Sequence, residues 1–227
     1  MLIHPVSVSQ TVDAIQSAVF EKREVPARER AQTGKWLAAR QGLPGAYADT
    51  FAGFDAERAK GIVVFTGERV TSASARHILG EETCRALRLL EPRDRAVKDA
   101  LERANEGLMR CLARAAEDPR NRNPGRFCCC KCSVGLWRNL LAGGLDRQEE
   151  RLRRGVGILR SVRNEGQWRG FPFWYTALTL SEMDFQEATK ELEYARETLA
   201  RAAARKDPKT VYARRRQELA RRVLERL

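Results

Sequence analysis

Apolar residues recur at spacings of three and four along most of the chain, a period that predicts helices. In residues 8–23, Val12, Ile15, Val19 and Phe20 share one helical face, and Pro26 ends the run. "ARERAQTGKWLAARQG" predicts a second helix closed by Gly42 and Pro44. "LPGAYADTFAGFD" reads as a loop with short helical turns. "GIVVFTGERV" is the one strand-like run of the first half. With no partner in view, it is read as a helix end and a turn around Gly67. "TSASARHILGEETCRALRLLE" follows, with Thr71 and Ser72 as N-cap candidates and Gly80 either splitting or weakening the helix. The clearest amphipathic pattern is residues 92–117. Pro92 and Asp94 suit its start, and Val97, Leu101, Ala104, Leu108, Cys111 and Leu112 form its apolar stripe.

After the loop "DPRNRNPG", the helical period returns in "SVGLWRNLLAGG", stopped by Gly143 and Gly144, and in "DRQEERLRRGVGILRSVRN", with Asp146 as its cap. "GQWRGFPFWYTALTLSEM" begins as a loop, and Pro172 then leads a helix. "MDFQEATKELEYARETLARAAARK" and "DPKTVYARRRQELARRVLERL" predict two final helices divided at Asp207-Pro208. Eight or nine helices and no convincing sheet make an all-α fold of antiparallel helical hairpins. The expected organisation is one domain over residues 1–200 and a basic amphipathic C-terminal helix over 201–227.

Composition sharpens this picture at a few points. The 227 residues suffice for a sizeable core, and 43% hydrophobic content argues against wholesale disorder. No apolar run approaches the roughly 20 residues of a membrane span. The N-terminus lacks the basic and apolar regions of a secretory signal, so the expected location is cytoplasmic, with cysteines kept as thiols or metal ligands. The net charge of +12 favours nucleic acid, an anionic surface or an acidic protein as partner. Ten Lys/Arg against three acids in residues 201–227 supply seven of those charges. Val211, Leu219, Val223 and Leu227 form an apolar face there. Arg214, Arg215, Arg216, Arg221 and Arg222 are the candidate anion-binding residues. Association with a second copy is open.

Four of the six cysteines fall in "CCCKC". Cys129 and Cys132 form a CxxC, with Cys128 and Cys130 beside them, just ahead of a predicted helix. Such a position stabilises thiolates. Zinc, or less readily an iron–sulfur centre, held by Cys129 and Cys132 would need further ligands from Cys128 or Cys130, Cys84, Cys111 or His77. His77 and Cys84 lie about 10 Å apart along one helix and cannot both join one small site unless Gly80 breaks that helix. Thiol redox chemistry and simple packing are the alternatives. Cys84 and Cys111 sit on apolar stripes and suit packing, while His77 is expected to meet Glu81 or Glu82.

Aromatic residues concentrate in "WRGFPFWYT". With Trp137, residues Trp168, Phe171, Phe173, Trp174 and Tyr175 could wall an apolar pocket or stack on bases. Asp49, Asp55, Glu57 and Asp184 show no pairing, one internal histidine supports no Ser/His/Asp set, and no phosphate-loop motif is present.

Residues 154–168, "RGVGILRSVRNEGQW", resemble the QW repeat of terpene cyclases and other α/α-toroid proteins through Arg154, Gly155, Leu159, Gly166 and Trp168. Ile158 replaces that repeat's aromatic, Arg163 replaces its Gln, and the spacer is one residue short. The cyclases' DxDD motif and the zinc ligands of protein prenyltransferases have no counterpart. The resemblance implies a partial toroid-like array of hairpins and, as an activity, handling of an apolar or isoprenoid small molecule. Whether the protein is an enzyme stays open. The leading expectation is a noncatalytic binding protein with a basic surface.

Overall fold

The computed structural model describes residues 1–118 and 125–227, so most of the expected "DPRNRNPG" loop lies outside the described residues. Among the described residues there are eleven helices and two tiny antiparallel strand pairs, an all-α fold. The helices are α1 (Val8–Phe20), α2 (Ala27–Ala38), α3 (Asp55–Lys60), α4 (Ser72–Leu89), α5 (Arg95–Glu117), α6 (Cys130–Leu141), α7 (Gln148–Ser161), α8 (Phe173–Ser181), α9 (Gln186–Tyr194), α10 (Arg196–Ala203) and α11 (Val211–Arg226). None is long and apolar enough to cross a membrane.

The strand-like run does find a partner. β1 (Ile62–Val63) pairs with β2 (Arg69–Val70), with Ile62 opposite Val70, and the turn passes through Gly67 at φ 90°. A side chain at Gly67 would collide with the ring of Tyr212, so the turn and α11 pack directly. A second hairpin joins β3 (Arg163–Asn164) to β4 (Gln167–Trp168) in a stretch expected to be helix end and loop. Glu165 and Gly166 make its two-residue turn with both φ positive, as the strand twist requires. Glu191 of α9 docks this hairpin. Its buried carboxylate takes a bidentate pair from Arg163 at 2.8 and 3.0 Å and accepts from Trp168 Nε1 at 3.0 Å.

Other differences are local. α6 begins at Cys130, three residues early, so the cysteine run is its cap and first turn. α7 is preceded by Arg147 at φ 49°, while Asp146 accepts from Arg151 instead of capping. The penultimate helix breaks at Ala195 into α9 and α10.

The long helix α4 runs unbroken through Gly80 and touches α1, α2, α3, α5 and α6. Gly80 is required because a Cβ there would strike Thr50 Oγ1. Helices α4 and α6 lie side by side in the same direction, shown by the ascending pairs Ser74–Cys129, His77–Cys132 and Glu82–Arg138. Gly135 allows this close approach, since a Cβ would meet Ile78 Cγ1 at 3.1 Å. Gly155 does the same for α7, which rests on the indole of Trp137.

Between α4 and α6 lies a polar network inside the core. Arg138 Nε donates to Glu82 at 2.7 Å, with both side chains almost wholly buried. Gln16 and Tyr175 donate to the same carboxylate. Asn139 donates to Glu81 at 2.7 Å. Burial lifts the Glu81 carboxyl from its ordinary 4.5 to about 8. The Asn139 hydrogen bond opposes that rise and nearby Glu82 adds to it.

Folded Glu81 therefore keeps a proton that the unfolded chain releases. Between pH 4.5 and about 8 the native state binds more protons, so this group's stabilising contribution falls as pH rises across that window. Glu81→Gln retains an acceptor for Asn139 and removes the titration. Urea unfolding across the window should show wild-type stability declining relative to the variant by a few kcal/mol at the alkaline end.

Candidate metal centre

The cysteine run is shaped by the start of α6. Cys129 is the N-cap, with extended backbone (φ −134°, ψ 173°), and its sulfur accepts from the Cys132 amide at 3.5 Å. Cys128 holds a left-handed backbone at φ 59°, unusual for a residue with a Cβ. Ser133 maintains this turn. Its hydroxyl accepts from the Phe127 amide at 2.9 Å and reaches the Phe127 and Cys129 carbonyls. Phe127 itself is buried. The turn brings Cys128, Cys129 and Cys132 together against one face of α4.

From α4 come His77 and, one turn earlier, Ser74. Cys132 Sγ lies 3.5 Å from His77 Nδ1 and 3.4 Å from Cys129 Sγ. Ser74 Oγ is 3.5 Å from Cys129 Sγ. The ligand atoms of His77, Cys128 and Cys132 all lie within 4.8 Å of one another. In a tetrahedral zinc site with Zn–S about 2.3 Å and Zn–N about 2.05 Å, sulfur–sulfur separations come to about 3.8 Å and sulfur–nitrogen separations to about 3.5 Å. The cluster has that scale. Tyr47 stacks on the His77 ring with centroids 3.8 Å apart, which fixes the imidazole plane.

The electrostatics suit metal binding. Desolvation, helped by Arg76, lowers the His77 pKa, so the imidazole is neutral at pH 7 and can offer a lone pair. Burial works against the Cys129 thiolate, but hydrogen bonds from Ser74 and from the Cys132 and Lys131 amides outweigh it and leave this thiol more acidic than usual. Burial raises Cys132, with the neighbouring sulfurs adding to the effect, and Cys128 is raised in the same way. Three crowded sulfurs without a cation resist ionising together, and a bound cation would reverse that.

Cys130 does not face the cluster. Its sulfur accepts from Arg126 Nη2 at 2.9 Å. Cys84 is fully buried on α4 away from His77, and Cys111 accepts from Arg114. His77 meets Cys132 and Tyr47 instead of Glu81 or Glu82, which turn toward α6 and the core. The spacing of Ser74 and His77, one turn apart on α4, was the available sequence signal for their joining the site.

The aromatic residues do not enclose a shared cavity. Trp137, Trp168, Phe171 and Tyr175 are buried, with Trp137 stacked on Phe171 and Trp168 on Phe173. Trp174 is half-exposed and meets Phe173 edge-on. Several C-terminal arginines serve the fold. Arg215 binds Asp13, Ser17 and the Phe65 carbonyl, Arg216 the Thr66 carbonyl, and Arg222 Glu218 and the Phe20 carbonyl. Arg214 reaches the Pro208 and Lys209 carbonyls, and Arg221 is exposed. Comparison with family models, curated proteins and solved structures returns no match for this chain.

Alkylation should follow this pattern. In chelator-treated protein at neutral pH, iodoacetamide should label Cys129 before Cys128 or Cys132 and leave Cys84 unmodified until denaturant is added. Time-resolved peptide mass spectrometry would read the order, and early labelling of Cys84 would contradict the described packing.

Proposed function

We propose that the protein is a noncatalytic helical binding protein with a zinc centre. His77, Cys128 and Cys132 are the ligands, and Cys129, its sulfur 3.4 Å from that of Cys132, is the candidate for the fourth position. The observation that carries this reading is the convergence of three ligand atoms, from two separate segments, within 4.8 Å. A neutral imidazole and thiols with a soft preference match zinc. An iron–sulfur centre is less suited, because such clusters take mainly thiolates and the sulfur of Cys130 is engaged by Arg126 instead. The metal would clip the segment ahead of α6 to α4, a structural role in the manner of small zinc sites.

A second reading has its own support. Cys129 and Cys132 form a CxxC at a helix N-terminus with sulfurs 3.4 Å apart, the local arrangement of a reversible dithiol. The apolar-ligand activity implied by the toroid resemblance is the least favoured, because most of the aromatic residues it would use are buried against one another.

Elemental mass spectrometry on untagged protein purified without chelator tests the proposal. About one zinc per chain is expected, lost in Cys128→Ser/Cys132→Ser and weakened in His77→Ala. Cys130→Ser should retain the metal. Absence of metal, together with failure of the reduced protein to take up added zinc, would overturn the zinc reading. A Cys129–Cys132 disulfide found under those conditions would favour the dithiol.

A further inference from the structure

The basic surface of the C-terminal region is concentrated in one groove. Helix α10 ends at Ala203, the chain turns through residues 204–209, and α11 starts after its N-cap Thr210. Gln217 of α11 holds the turn in place, donating to the Ala203 and Arg205 carbonyls at 3.1 and 2.6 Å. The groove left between turn and helices has a volume of about 670 Å³. Arg201, Arg205, Lys206, Lys209 and Arg216 line it, with Asp207 as the one acidic lining residue. Trp174, projecting from the start of α8, forms part of the wall, with the Arg216 guanidinium 6.0 Å from its ring.

Four of these cations differ from many arginines of the molecule, and the fifth, Arg216, approaches Glu68 at 3.9 Å. Arg147, Arg151, Arg153, Arg163, Arg215 and Arg222 each pair with a carboxylate. Among the described residues, no ion pair engages Arg201, Arg205, Lys206 or Lys209, and all four are exposed. Among the described residues, the one side-chain hydrogen bond these four make runs from Arg201 to Thr198. Like charges held together around a concave surface without neutralisation raise the local potential and favour a polyanion.

We infer that this groove binds single-stranded nucleic acid, with the cations on successive phosphates and Trp174 offering a face to a base. The inference is independent of the metal centre. The aromatic wall favours a single strand over a duplex, whose base faces are stacked away, and over an acidic polypeptide, which has no base to stack. A membrane surface fits poorly. The apolar residues Leu219, Ala220 and Val223 of α11 point into the core, and the exposed Val211 alone makes no apolar face to insert.

Fluorescence anisotropy of a labelled oligothymidylate, titrated at several salt concentrations, tests this. The comparison ligands are a duplex of equal length, polyglutamate and phosphatidylserine vesicles. Wild type should prefer the single strand and weaken steeply with salt. Arg201→Ala/Arg205→Ala/Lys206→Ala should lose tenfold or more in affinity. Its log–log salt slope should fall by about 2, roughly 0.7 for each lost phosphate contact. A control with equal charge loss elsewhere, Arg28→Ala/Arg93→Ala/Lys98→Ala, should keep wild-type affinity within about twofold, since mere net charge is screened over a distance of roughly 10 Å. Trp174→Ala should weaken strand binding about fivefold or more, with Trp174→Phe restoring most of it. Circular dichroism of each variant checks folding, and Arg201→Gln/Lys206→Gln serves as a milder pair if the triple variant misfolds. Equal losses in the control variant, preference for any comparison ligand, or no binding at low salt would each overturn the inference.

Discussion

The buried guanidinium of Arg138 is the point on which the central helices depend. It sits 2.7 Å from Glu82 and 3.2 Å from Glu182, while Arg85 reaches the other oxygen of Glu182 and the Arg138 carbonyl. Burial alone would disfavour this charge, but Glu182 and Glu82 outweigh it and hold Arg138 firmly ionised. Glu82 also collects Gln16 from α1 and Tyr175 from α8. Four helices thus meet at one carboxylate. Such a network adds little net stability over an apolar core of the same shape. Removal of one member, however, strands a charge and costs about 3–5 kcal/mol. Its consequence here is register. Sliding α6 along α4 by one turn would separate Arg138 from Glu82 and Asn139 from Glu81 together, so alternative packings are penalised twice.

That register also decides the chemistry at the other end of the seam. Cys132 precedes Arg138 by six residues, and His77 precedes Glu82 by five. At about 1.5 Å per residue, the His–Cys contact lies about 8–9 Å up the same interface. The contact at 3.5 Å between Cys132 and His77 follows from the same alignment that pairs Glu82 with Arg138. The lower end of the seam is buried and polar, and the upper end opens toward solvent at Cys128.

Much of this was legible in the sequence, and the gaps have physical reasons. The stripe of α5 and the existence of most helices follow from periodicity, which is a local property. The two hairpins were missed because two-residue strands carry almost no pattern. They exist through tertiary contacts, Tyr212 over Gly67 and Glu191 under Arg163 and Trp168. The break at Ala195 likewise leaves no mark in an Ala- and Glu-rich run. Gly80 could not be judged without Thr50, 30 residues earlier. The cysteine run announced itself, but which sulfurs converge depends on Cys128 adopting a left-handed backbone and on Cys129 capping α6. His77 could be assigned only once α4 and α6 were known to run in the same direction. The basic helix misleads in another way. Charge counts cannot distinguish arginines spent on Asp13, on carbonyls and on the rings of Phe20 and Phe65 from those left facing solvent.

The arrangement of the seam bears on what a cation at the cysteines would have to organise. His77 and Cys132 are carried by two helices whose relative position is fixed by Glu82–Arg138, Glu81–Asn139 and the contact of Gly135 with Ile78, none of which involves the cluster. Half of the proposed ligand set would therefore be in place before any ion arrived. Cys128 and Cys129 remain, in a turn already tied by Ser133 and by the capping bond to Cys132. Binding to a prearranged set forfeits little conformational freedom, so affinity would derive mainly from the ligand bonds rather than being consumed by ordering the chain. A zinc finger stands at the opposite limit, where the metal creates the fold. Here the core creates the site, and the metal's mechanical effect would be confined to the segment leading into α6.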